Sequence, residues 1–196
     1  LWEKAEIALA NALKEKDFQF EVAAGEGAFY GPKIDFQIKD ALGRYWQLAT
    51  IQLDFQMPRR FEIEYTDKDD KPKTPVMIHK ALLGSIERFM GILIEQFAGH
   101  FPVWLSPIQV KALTITDRNI AFAQKATQRL LDAGIRVELD DSNETLNYKI
   151  RSAQLQKIPF ILVVGDKEQQ SDSVNVRTRD GKVLGTQKID AFLAET

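Results

Sequence analysis

A chain of 196 residues, 44% of them apolar, can bury one moderate core or two small ones. Its 26 basic and 28 acidic residues leave a net charge of -2, which excludes a global positive field toward nucleic acid or acidic membranes; any RNA contact must be local. The absence of cysteine excludes disulfides and cysteine-based metal sites, and no apolar run approaches the roughly 20 residues needed to cross a bilayer, so the cytoplasm is the expected compartment.

The chain opens on Leu1-Trp2-Glu3-Lys4, already within a helical pattern, so the native protein is expected to begin further upstream. Trp2, Ala5, Leu9 and Leu13 recur at helical spacing, and the alternation of Phe18, Phe20 and Val22 predicts a strand. A glycine loop follows. Ile34, Phe36 and Ile38 alternate with polar residues, a turn at 40–43 intervenes, and Tyr45 to Phe55 is β-rich, which together predict an antiparallel hairpin. A third alternation, Phe61-Ile63-Tyr65, leads into the charged turn 67–73 and the apolar run 75–78. Ile86, Phe89, Met90, Leu93 and Phe97 trace one helical face ended by Gly99 and Pro102.

The segment 101–107 carries two prolines and no period, and the domain boundary is placed there, giving units 1–104 and 105–196. Beyond it strands and helices alternate: strand 110–115, helix 119–133, strand 135–139, helix 146–156, strand 160–164. Val174 and Val176 then alternate, Asp180-Gly181 fits a hairpin turn, and a last helix starts at Lys188. The expected fold is α/β overall, with an antiparallel sheet and helices first and a mixed or parallel five-stranded sheet second.

Several residues offer chemistry. The run 25–33, Gly-Glu-Gly-Ala-Phe-Tyr-Gly-Pro-Lys, is either a hairpin connection or a loop that brings backbone close to a ligand, with Tyr30 offering a hydroxyl and Lys33 a cation. Gln47 and Gln52 lie in an otherwise apolar strand; five apart, they point to opposite faces unless a bulge intervenes. Ser85 suits a helix N-cap, and Arg88 in the first turn faces the positive end of the helix dipole, an unfavourable place unless it meets an anion, a base or a nearby carboxylate such as Glu87 or Glu95. His79 ends an apolar run and by itself reads as structural, since a metal needs more than one side chain and the only other histidine is His100.

Taken together, Gly-Glu-Gly-Ala-Phe-Tyr-Gly-Pro-Lys, Gln-Leu-Asp-Phe, Met-Ile-His-Lys-Ala and Gly-Ser-Ile-Glu-Arg-Phe resemble, in order and spacing, the latter catalytic half of threonyl-tRNA synthetases. The last run is similar to the third signature of class II aminoacyl-tRNA synthetases, and the part after the proline connector resembles their anticodon-binding domain. The resemblance implies that Arg88 lies against the adenine of ATP, with Ser85 and Gln47 on the ATP side, and that Tyr30, Lys33 and Gln52 line the threonine and adenylate pocket. It implies that His79 is one of three zinc ligands, one zinc per subunit, the others lying upstream, and that Mg2+ accompanies ATP. It implies that Asn143, Glu168 and Arg177 face anticodon bases, as side chains that hydrogen-bond or stack on unpaired bases do. Otherwise Asn143 reads as a helix cap, and Glu168 and Arg177 as surface charge.

The implied partners are tRNA(Thr), ATP and L-threonine, the intact enzyme being a homodimer with no membrane attachment. Its reaction is threonine activation followed by transfer to the end of tRNA, with catalysis mostly by positioning and phosphate stabilisation. The piece alone is expected to bind the anticodon without catalysing. The alternative is a non-catalytic tRNA-binding or regulatory paralogue of a synthetase. Leu48-Ala49 departs from the Cys-Gly of some members beside Gln47.

Overall fold

The computed structural model describes residues 1–195, which fold as two compact units that divide between Gln96 and Phe97. In the first, helix α1 (Trp2–Glu15) precedes a hairpin of β1 (Lys33–Lys39) and β2 (Tyr45–Asp54), a single helical turn α2 (Met57–Arg60), a two-residue ladder β3 (Tyr65–Thr66) with β4 (Pro72–Lys73), strand β5 (Met77–Ala81) and helix α3 (Ile86–Phe97). The sheet is antiparallel in the order β1-β2-β5. Its turn at 40–43 is built by Asp40, whose buried carboxylate accepts from the backbone N–H of Leu42 and Arg44, from Arg44 Nε and from Trp46 Nε1. Burial by itself would raise this carboxyl's pKa. The bonds from Trp46, Arg44 and Leu42 outweigh burial and hold it well below the carboxylate range.

The strand expected over Phe18 to Val22 is absent. Asp17 leaves α1 with φ 57°, and Phe18 then sets its ring edge-on to Phe36, 6.2 Å between centroids, so the segment lies against a side chain of β1 without joining its ladder. Alternation marks a side-chain pattern, and a strand also needs a hydrogen-bonding neighbour. The third expected alternation shortens for the same reason to Tyr65–Thr66, since Phe61 and Ile63 close the α2 turn by backbone bonds to Met57 and Pro58.

The second unit is a five-stranded mixed sheet, β6 (Val110–Thr114), β7 (Val137–Asp140), β8 (Phe160–Val164), β9 (Ser173–Thr178) and β10 (Val183–Lys188), in the order β10-β9-β8-β6-β7. The pairs β6–β7 and β6–β8 are parallel, and the others are antiparallel. Helices α4 (Ile120–Asp132) and α7 (Ile189–Glu195) cover one face and α5 (Leu146–Leu155) the other; a short α6 (Asp166–Gln170) follows β8. The period of two in each strand divides the core. Leu162 and Val164 pack with Ala126, Leu130 and Phe192, while Ile161 and Val163 pack with Leu113, Ala153 and Ile158. A strand covered on both faces has no polar side, which is why Phe-Ile-Leu-Val-Val is continuous.

The proline connector is clamped onto this second unit. Arg136 donates from Nε and Nη2 to Ser106 O and from Nη2 to Trp104 O, Gln109 Nε2 donates to Val103 O, and Arg179 Nη1 donates to Phe101 O.

Candidate functional site

The register of the first sheet places Lys33 opposite Gln52 and Gln52 opposite His79, so one residue from each strand stands in a single row. The bulge left open above is present: Phe36 faces Ala49, but Gln37 faces Gln47, so Leu48 is the extra residue. Leu48 is buried, and Gln47 comes to the same face as Gln52, where its Nε2 donates to Asp35 Oδ1 at 2.7 Å. Asp35 also holds the Lys33 ammonium in a short ion pair. Between them Thr50 Oγ1 is buried without a protein partner.

The glycine loop closes over this row. Gly31 brings the loop so near β2 that a Cβ there would stand 2.0 Å from Leu53 O, and the flanking bonds Leu53 N–H to Pro32 O and Phe55 N–H to Tyr30 O tie it down at 3.0 and 2.9 Å. Tyr30 consequently donates its hydroxyl to Gln52 Oε1 at 3.0 Å and stands edge-on to the His79 ring. Tyr30, Gln52, Asp54, Met57, Arg60 and His79 are among the residues lining an open pocket of about 340 Å³. The neighbouring Phe29 presents an apolar ring that is 84% exposed.

Asp54, which sequence reasoning quoted but gave no role, organises the row's far end. Only 2% exposed, it accepts from Gln56 N–H and Met57 N–H with Oδ1 and contacts His79 Nε2 with Oδ2 at 2.9 Å. Burial would raise its pKa, and the bonds from Met57, His79 and Gln56 bring it below the ordinary 3.8. An ionised Asp54 requires Nε2 to donate, so the nitrogen that His79 keeps for a ligand is Nδ1. No group of three metal-binding side chains is present among the described residues. His79 fits a metal as one donor of a larger set.

Ser85 is the expected N-cap of α3, its Oγ accepting from Arg88 N–H at 3.1 Å. Among the described residues Arg88 pairs with neither candidate carboxylate. Its Nη1 donates to Gln47 O at 3.2 Å and its guanidinium lies 5.7 Å from the centroid of Trp46, while Glu95 is taken by Arg44 Nη2. Gly84, with φ +63°, allows this approach, since a Cβ there would stand 2.8 Å from Leu48 O. Arg88, Ser85 and Gln47 therefore form one group, beside the row of Lys33, Gln52 and His79.

In the second unit the three expected base-facing residues occupy different places. Asn143 lines an open pocket of about 260 Å³ at the carboxyl ends of β6 and β7, with Thr114, Thr116, Asp117, Glu144 and Lys149 among its other walls. It is not the helix cap. Thr145 caps α5 by accepting from Tyr148 N–H. Glu168 lies at the same edge on α6, a helix the sequence did not announce, and its Oε2 accepts from Gly165 N–H at 3.1 Å. Arg177 sits opposite Ile161 near the start of β8, on the face that α5 covers, bonded to Asn175 at 3.4 Å. The structure brings Asn143 and Glu168 to one edge and leaves Arg177 on the sheet.

Comparison with known proteins accounts for both units. Residues 1–97 match the tRNA synthetase class II core domain (G, H, P, S and T), and residues 103–195 match the anticodon binding domain. Threonine–tRNA ligases of Carboxydothermus hydrogenoformans and Dichelobacter nodosus are 53% and 54% identical over 100% and 98% of the chain. The chain spans 31% and 30% of those relatives' own length. Among solved structures, the RNA binding domain of threonyl-tRNA synthetase from Cryptosporidium parvum superposes with a TM-score of 0.91 at 38% identity, over 99% of this chain and 49% of that one. A putative threonyl-tRNA synthetase of Aeropyrum pernix gives 0.70 at 34% identity, over 94% and 44%. Prolyl-tRNA synthetase of Giardia lamblia, at 18% identity and a TM-score of 0.61 over 85% of this chain and 40% of that one, shares the fold. The chain thus belongs to the threonine–tRNA ligase family, as a class II core segment followed by an anticodon-binding domain.

Proposed function

We propose that this chain supplies the latter catalytic part and the anticodon-reading part of a threonine–tRNA ligase, which activates L-threonine with ATP and Mg2+ and transfers it to tRNA(Thr). The observation that carries the reading is the Lys33–Gln52–His79 row with Tyr30 laid over it, because three strands and a glycine loop bring polar groups into one row beside an open pocket. Lys33 offers a cation and Tyr30, Gln52 and Thr50 hydrogen-bonding groups to an amino acid and its adenylate. Arg88, held on Trp46 and Gln47 O with the rest of its planar guanidinium open, takes the adenine and phosphates, with Ser85 and Gln47 beside it. His79 would be one zinc donor, through Nδ1, and the metal would supply a polar binding point that separates threonine from isosteric valine, a distinction that an apolar pocket makes only by roughly a hundredfold.

Asn143 and Glu168 read unstacked base edges at the carboxyl edge of the second sheet, and Arg177 stacks on or pairs with the RNA across its face. The functional division between the catalytic and the anticodon-reading parts is placed between residues 104 and 105, inside the connector, whereas the compact units divide between Gln96 and Phe97. The assembled enzyme is a cytoplasmic homodimer, and among the described residues no helix is long and apolar enough to cross a membrane.

A graft tests this. Residues 1–196 replace the matching segment of the Carboxydothermus ligase, and amino-acid-dependent ATP–pyrophosphate exchange and zinc content are measured for the graft and its His79→Ala version. Threonine-dependent exchange that falls together with zinc in the variant is the expected result. A folded graft that binds tRNA and exchanges with no amino acid refutes the catalytic reading and favours the non-catalytic paralogue.

A further inference from the structure

Lys149 is 2% exposed, among the most deeply buried side chains of the second unit. It stands in the first turn of α5, against the positive end of the helix dipole, where a cation is disfavoured. Among the described residues no carboxylate pairs with it; its Nζ donates to Thr114 O at 3.1 Å, Thr114 Oγ1 at 3.3 Å and Asp140 O at 3.3 Å. Thr114 ends β6 and Asp140 ends the neighbouring parallel β7, so one ammonium ties together the carboxyl ends of two strands. The residues between Asp140 and Lys149 form a closed loop: β7 ends, 141–145 turns, Thr145 caps α5, and Lys149 reaches back to Asp140 O. Asn143 is in that loop, and Lys149 forms the floor of the same pocket.

We infer that Lys149 is a positioning residue for base reading, whose ammonium fixes the 141–145 loop so that Asn143 meets a nucleobase edge at the mouth of the pocket; this rests on the anticodon reading proposed above. A phosphate site is the competing use of a buried lysine, and the geometry disfavours it. The three donors of the ammonium already have acceptors, and Asp117 and Glu144 at the pocket wall repel an anion. What remains for a ligand is a neutral, planar polar edge.

The test uses the 196-residue chain, an RNA hairpin carrying a threonine anticodon, and the same hairpin with its anticodon bases replaced. Lys149→Met keeps the length of the side chain and removes the donors. Hydrogen exchange at the 141–145 amides is expected to speed up while the β8 amides keep their protection. Affinity for the matched hairpin is expected to fall about tenfold, the loss for a loop correctly placed a tenth of the time, while affinity for the replaced hairpin changes little. Asn143→Ala should cost a similar factor, and the double variant no more than either single one, because both act through one contact.

Since the chain has no cysteine, Lys149→Cys alkylated with 2-bromoethylamine before refolding restores an ammonium at this position alone, and both loop protection and discrimination should return. Unchanged loop exchange in a folded Lys149→Met chain, losses that add to those of Asn143→Ala, or restored folding without restored discrimination each overturn the assignment. A wild-type chain that holds its loop but binds neither hairpin refutes base reading itself, a result distinct from failure of the tether.

Discussion

Gly31→Ala should unfold the first unit more easily than any exposed substitution in it. The added Cβ would stand 2.0 Å from Leu53 O and 2.9 Å from the Leu53 carbonyl carbon, and contacts under 3.0 Å are essentially never seen. Both neighbours are backbone, so no side chain can swing aside, and the loop must back away by about 1 Å. The bonds flanking the clash, Leu53 N–H to Pro32 O and Phe55 N–H to Tyr30 O, are what hold the loop there. Overpacking of this kind costs about 1–3 kcal/mol, and stretching either bond about 1 kcal/mol more, so a loss of about 2–4 kcal/mol is expected. Denaturant unfolding followed by the fluorescence of Trp2 and Trp46 measures it. Gly91→Ala is the matched control: nothing lies within 4 Å of its Cβ position in α3, and removing a helical glycine should stabilise by about 0.5–1 kcal/mol. A Gly31→Ala chain within about 0.5 kcal/mol of wild type would refute the argument that this backbone approach is tight.

Other consequences follow from single contacts. Asp40 and Asp54 both titrate below the ordinary 3.8 when folded, so each contributes stability that is complete above that value and is lost as pH falls through the folded values. The first unit's denaturation midpoint should therefore drop as pH falls below about 4, less steeply in Asp40→Asn, and an equal slope in the variant would contradict the assignment. Thr145→Ala should destabilise the second unit by about 0.5–1 kcal/mol, at the low end for an N-cap because the bond to Tyr148 N–H is 3.4 Å long. Arg136→Lys retains charge but loses the planar fork to Ser106 O and Trp104 O; limited proteolysis should then cut the 101–106 connector faster, with a loss of about 1–2 kcal/mol in urea unfolding.

The elements of the second unit were legible because strands buried on both faces and helices with one apolar stripe leave opposite periods in the sequence. The short α6 was not, since five residues hardly complete a period and its capping Glu168 reads as any surface acid. In the first unit alternation misled at Phe18 to Val22, where the Phe18 ring packs on Phe36 without a ladder bond. The glycine loop, the N-cap at Ser85 and the polar pair Gln47 and Gln52 were each visible as candidates. Their assembly was not, because cross-strand register joins Lys33, Gln52 and His79 through hydrogen bonds between residues far apart in the chain. Asp54 and Lys149 escaped notice for a related reason: an acid and a base in ordinary amphipathic positions reveal their burial only when the partner strands are in place.

The single extra residue in β2 also sets what kind of sequence change this site can survive. Gln47 and Gln52 stand an odd number of positions apart, and Leu48 is what converts that odd count into shared facing. Swapping Leu48 for another apolar side chain keeps the parity and alters only packing. Deleting Leu48 leaves the pair four apart, an even count that a regular strand presents on one face, so the shared facing survives while the bulge and its buried side chain are lost. Along this strand the facing of the two glutamines tolerates loss of the extra residue, and what that residue adds is the buried side chain at position 48.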